Sequence, residues 1–130
     1  DDRFDALFLL ASYPADGTDV EGRSAPVLSL TGALDADARL ADVEAGWQRF
    51  ADPSWLGVVD GMGHYGWTDD DSPENLSGGG DLSEGAREDA LTRADALVPL
   101  AAFLSATLRD DAQAASTLDA GGFSGVTWSP

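Results

Sequence analysis

Three short apolar runs mark the first half of the chain, and a turn closes each of them. Phe4–Ser12 (FDALFLLAS) stops at Tyr13-Pro14, Pro26–Thr31 (PVLSLT) at Gly32, and Trp55–Asp60 (WLGVVD) at Gly61. None alternates polar with apolar residues, so each suits a strand buried on both faces, as in a parallel sheet. Between the second and third runs, Leu40, Val43, Trp47 and Phe50 recur at helical spacing, with Asp42, Glu44 and Arg49 among them. That spacing predicts an amphipathic helix of about three turns, which Pro53 ends. The order strand, strand, helix, strand contains a βαβ unit and predicts a parallel sheet with a right-handed crossover.

The stretch from Gly61 to Gly85 is polar and rich in turn formers, with Gly78-Gly79-Gly80 its one low-complexity block. Loops of that length in a small domain often carry function. A second helix is expected from about Ala86 to Leu108, with Leu91, Leu97, Leu100 or Ala101, Leu104 and Leu108 on one face. Pro99 inside it predicts a kink or a break. The segment 110–130 is Ala, Ser, Gly and Asp with Phe123 and Trp128 as its possible anchors. The expected organisation is one domain over 1–109 and a loosely held tail over 110–130.

Composition narrows the class. At 130 residues, with 43% hydrophobic and 8% aromatic positions, the chain can bury one core and reads as globular. Its most apolar stretches, Ala6–Ala11 and Leu97–Leu104, are too short to cross a bilayer, so no membrane span is expected. The opening Asp1-Asp2-Arg3 lacks an initiating Met and the basic start of a signal peptide, which suggests a sequence taken from something longer. No localisation signal is legible, and the cytoplasm is the default. The absence of cysteine excludes disulfides, thiolate nucleophiles and cysteine metal sites. All seven basic residues are arginine, and they face 24 acidic ones for a net charge of −17. That field repels phosphate backbones and argues against a nucleic-acid partner. The acidic residues are spread along the chain, which predicts a solvating, salt-adapted surface over a dedicated acidic docking site.

Functional groups in an open parallel sheet collect at the carboxyl ends of its strands. Asp35 follows the second run, in Thr31-Gly32-Ala33-Leu34-Asp35, and His64 follows the third, in Asp60-Gly61-Met62-Gly63-His64. Glycines 61 and 63 allow a sharp turn that presents the imidazole. A carboxylate can orient one ring nitrogen of a histidine and leave the other as a base. Each residue also has a plainer explanation: Asp35 or Asp37 can cap the helix carrying Leu40, and a histidine in a Gly-rich loop can be a surface residue. The acidic clusters do not match a calcium loop. Around Asp35, Asp37 and Asp42, the residues Arg39 and Leu40 stand where ligand and glycine belong, and Asp69-Asp70-Asp71 with Glu74 and Asn75 lacks the spacing. One histidine without cysteine is a poor start for zinc. No metal and no cofactor is expected. Neither Gly32 nor the Gly61–Gly63 turn forms a nucleotide-binding glycine pattern.

These segments resemble a family. Leu28-Ser29-Leu30-Thr31-Gly32-Ala33-Leu34-Asp35 resembles the acid-bearing strand and loop of α/β-hydrolases, and Val58-Val59-Asp60-Gly61-Met62-Gly63-His64 resembles their closing strand and histidine loop. Leu9-Leu10-Ala11-Ser12-Tyr13-Pro14 and the Tyr65-Gly66 pair are similar to a bacterial and archaeal subgroup, and the likeness runs from about Phe4 to Leu108. It implies the C-terminal half of an α/β-hydrolase sheet with flanking helices. Asp35 and His64 would be the acid and histidine of a Ser-Asp-His triad acting on a small carboxylic ester. The nucleophile and oxyanion hole would come from a missing N-terminal half or a partner chain. Of the serines present, Ser124 in Gly122-Phe123-Ser124-Gly125-Val126 and Ser77 in Asn75-Leu76-Ser77-Gly78-Gly79 each depart from G-x-S-x-G, so neither is assigned and the isolated chain is expected to be inactive. Tyr65 and Trp67 are placed at the pocket mouth or in simple packing, and Trp47 in the core. The alternative is a non-catalytic interaction subunit or relic of the same fold. In either case the first strand would be an open edge, with Phe8 and Leu10 facing nothing, prone to pairing.

Overall fold

Of the three apolar runs, the second and third become inner strands of a sheet and the first its edge. The computed structural model describes residues 4–20, 23–68 and 85–130. Ser77, the Gly78–Gly80 block and the acidic patch at 69–75 lie outside the described residues. In chain order the elements are β1 (Leu7–Leu10), β2 (Val27–Gly32), α1 (Leu40–Trp47), β3 (Ser54–Val59), a 3₁₀ turn (His64–Trp67), α2 (Asp89–Arg109), α3 (Ala112–Ala120) and β4 (Val126–Ser129). The sheet order is β1-β2-β3-β4. β1 lies parallel to β2 (Leu7↔Val27 to Leu10↔Leu30), and β2 lies parallel to β3 (Val27↔Ser54 to Gly32↔Val59). β4 runs antiparallel to β3, with Val59 opposite Val126. The architecture is therefore α/β, a mostly parallel but mixed sheet with three helices. Every residue of β2 and β3 is buried.

Alternation along the strands divides the core in two. Leu28 and Leu30 of β2 and Trp55 and Val59 of β3 face α2 and α3, joining Phe103, Leu118, Phe123 and Val126. Leu56 and Val58 face the other way, onto Val43 of α1. Leu7 and Leu9 pack on that second side with Val20, Val27 and Phe50. Phe8 and Leu10 pair with Leu28 and Leu30 and so face the α2 side, but α2 does not reach over them; they stay 47% and 38% exposed.

Three expectations need correction. The segment 110–130 is not a loose tail. Asp111 caps α3 by accepting from the N–H groups of Gln113 (2.9 Å) and Ala114 (3.1 Å), and the Trp128 indole N–H donates to the Leu118 carbonyl at 2.8 Å. A cap, a sheet edge to join and one buried leucine order a segment whose composition alone is weak. Second, α2 buries Thr92, Ala96, Pro99 and Phe103, while Leu91, Leu97 and Leu108 are more than half exposed. The helix is apolar nearly all round, so periodicity could not select its face. Small Ala96 and Thr92 let it approach the sheet, and Phe103 meets Trp55 edge-on at 6.0 Å. By length and a mean hydropathy of 1.3, α2 would pass for a bilayer-crossing helix, but its Phe103 face is packed on the sheet. It also continues through Pro99 as one helix, so of the kink or break expected there the break does not occur. Third, α1 ends at Trp47, and the N–H groups of Arg49 and Phe50 bond back to Gly46 and Trp47. That tighter turn still buries Phe50.

Candidate functional site

Gly32 and Val59, the last residues of β2 and β3, are paired, so the loops that follow begin side by side. The pairing continues past the sheet. The Ala33 N–H donates to the Val59 carbonyl at 2.9 Å, and the Leu34 N–H donates to the Met62 carbonyl at 3.0 Å. Position 32 has to be glycine for this approach, because a Cβ there would lie 2.3 Å from the Met62 oxygen. Gly61 turns the chain with φ +70°, a conformation that favours glycine. Gly63 is extended (φ −91°, ψ −177°), so only one of the two glycines expected to make the turn does so by its backbone angle.

These loops bring Asp35 and His64 together. His64 Nδ1 lies 3.1 Å from Asp35 Oδ1 and 3.0 Å from Oδ2. The Asp35 side chain is fully buried, and that of His64 is 29% exposed. Asp35 Oδ1 also accepts from the N–H groups of Asp37 at 3.0 Å and Ala38 at 2.7 Å. Asp35 thus caps a local turn and holds the imidazole at once; α1 itself starts after Arg39 with no side-chain cap. Three donors satisfy a carboxylate that burial would otherwise make costly. As a carboxylate Asp35 can only accept, so Nδ1 carries the ring proton and Nε2 presents a lone pair. Histidine roles of this kind are fixed by the partner on the other nitrogen.

Several supports were not legible as such. Met62, fully buried, packs under the histidine loop in the main core. Tyr65 stands edge-on to the imidazole, ring centroids 5.1 Å apart at 89°. From α2, Arg93 donates to the carbonyls of Gly66 (3.2 Å) and Thr68, fastening the far end of the histidine turn. Arg87 donates to the Asp60 carbonyl at 3.0 Å and pairs with Asp95 at 2.8 Å, fastening the near end. A helical pattern lists such arginines as surface charge; only the tertiary placement of α2 and of the residues leading into it gives them carbonyls to hold.

Ligating atoms of Asp35, Asp37 and His64 lie within 4.8 Å of one another, a set that could hold a divalent cation. A cation there would compete with the Nδ1 proton for Asp35 oxygens that already have donors. Ser124 sits in the turn entering β4, on the opposite side of β3 from Asp35, and no bond joins it to His64 among the described residues. Compared with protein-family models and with curated proteins, the chain matches none.

Proposed function

We propose that this chain supplies the acid and the histidine of a Ser-Asp-His hydrolase of the α/β-hydrolase type, cleaving a small carboxylic ester once a nucleophile is brought to His64. The observation that carries the proposal is the buried Asp35 carboxylate gripping Nδ1 at 3.0 Å while the ring remains partly open to solvent. In such a reaction His64 Nε2 takes the proton of the attacking hydroxyl and returns it to the leaving alkoxide, and Asp35 stabilises the imidazolium formed between those steps. A longer polypeptide or a partner chain provides the serine and the oxyanion donors. Among the described residues no strand pairs with the outer edge of β1, where Phe8 and Leu10 are uncovered, which suits the joining of further strands.

The test is hydrolysis of p-nitrophenyl acetate by the full-length gene product or native complex, beside this isolated chain and a His64→Ala form of the complete protein. The complete protein should turn over and the isolated chain should not. His64→Ala should lower the rate by about three orders of magnitude or more. A silent complete protein would turn the reading toward a non-catalytic interaction subunit. Activity in the isolated chain would mean a nucleophile within it, with Ser124 the first to replace.

A further inference from the structure

Helix α2 turns one face to the sheet and an equally apolar face away from it. Thr92, Ala96, Pro99 and Phe103 are buried. At about 100° per residue, Ala90, Ala94, Leu97, Ala101, Leu104 and Leu108 fall on the opposite side. All six are exposed, Leu97 and Leu108 by more than half, as are Leu91 and Val98 beside them. No charge stands among them, in a chain of which 24% is charged. The charged side chains within this stretch turn back to the fold: Arg93 to the carbonyls of Gly66 and Thr68, and Asp95 to Arg87. A helix apolar all round is ordinarily covered on every side, and an exposed apolar face of this length marks a contact surface.

The spacing says what covers it. The six residues step alternately by four and three, the a/d repeat of a left-handed helix pair. Laid antiparallel on a second copy about a two-fold axis at position 99, they meet as Ala90 with Leu108, Ala94 with Leu104 and Leu97 with Ala101. Every contact then sets one small residue against one large one, so the layers fill evenly. A parallel pair would stack alanine on alanine and leucine on leucine and pack unevenly. The antiparallel pair also brings Glu88 and Asp89 of one copy level with Arg109 of the other, opposite charges at opposite helix ends. At 1.5 Å per residue the seam is about 27 Å long. Two helices packed along it bury about 1,000 Å² together, the lower limit for a specific association.

We infer that two copies of this chain associate through the outward face of α2, antiparallel and two-fold symmetric. Neither the hydrolase chemistry nor the β1 edge takes part. A seam of that size gives a reversible pair, and each copy carries a charge of −17, so the pair tightens as salt screens the repulsion. Sedimentation velocity of the 130-residue chain in about 1 M KCl should show the mean mass rising toward that of two chains as the concentration approaches ~0.5 mM. The pair should weaken in about 0.1 M KCl. Leu97→Glu and Ala101→Glu change exposed positions and leave the core untouched, and each should keep the chain monomeric. The chain has no cysteine, so introduced ones report the register cleanly. Under mild oxidation, Ala94→Cys mixed with Leu104→Cys should form a disulfide-linked heterodimer, and neither should link alone. A chain monomeric throughout, a dimer that survives either glutamate, or Ala94→Cys linking to itself would overturn the pairing.

Discussion

Asp35 divides its oxygens among three donors, and that division decides what each substitution does. Asparagine at 35 can keep the two capping amides with its oxygen, but its NH₂ then faces Nδ1 and demands a lone pair there. The proton moves to Nε2, the wrong tautomer for a base. Nitrogen-15 spectra of the isolated chain should therefore show His64 protonated at Nδ1, and Asp35→Asn should show it protonated at Nε2; an unchanged tautomer would mean that Asp35 does not orient the ring. On the proposed hydrolase reading, the same change should cost the complete protein about 10⁴ in rate. Gly32→Ala acts through sterics, since the new Cβ would press on a backbone oxygen at 2.3 Å. The acid and histidine loops must part, and we expect a loss of about 2 kcal/mol in urea denaturation together with a mixed His64 tautomer. A Gly32→Ala chain of native stability would show that the contact relaxes freely.

The three uninterrupted apolar runs were legible as strands, covered on both faces in β2 and β3 but not in β1, where Phe8 and Leu10 stay open, and the positions of Asp35 and His64 at strand ends followed from that. The elements that were not legible are those whose order comes from neighbours. α3 contributes one fully buried side chain, Leu118, and owes its start to the Asp111 cap. β4 exists because β3 offers it a ladder, and Trp128 locks it by an edge-on contact with Phe123 at 4.7 Å and a bond to the Leu118 carbonyl. Trp128→Ala should then destabilise the whole domain by about 3 kcal/mol. Trp128→Phe, which keeps the ring and loses the N–H, should cost about 1 kcal/mol. If Trp128→Ala left thermal unfolding unchanged, the segment after Arg109 would be an appendage after all. In α2 the failure has a different origin: leucines surround the helix, and the buried face pairs small Thr92 and Ala96, which let the sheet approach, with Phe103, which meets Trp55.

Over the whole molecule, 24 acidic residues face seven arginines, and the compact state concentrates that repulsion. Salt screens it, since the Debye length falls from ~10 Å at 0.1 M to ~3 Å at 1 M. The melting temperature should rise by about 5 °C or more between 0.1 and 2 M KCl; a falling melting temperature would rule out salt adaptation. The two flanks of the sheet also differ. Both edge strands are four residues long, but β4 carries Thr127 and Ser129 at one flank, while β1 leaves Phe8 and Leu10 in the open on the other. Two copies joined through β1 would consume that flank in both, so growth through β1 closes at a pair.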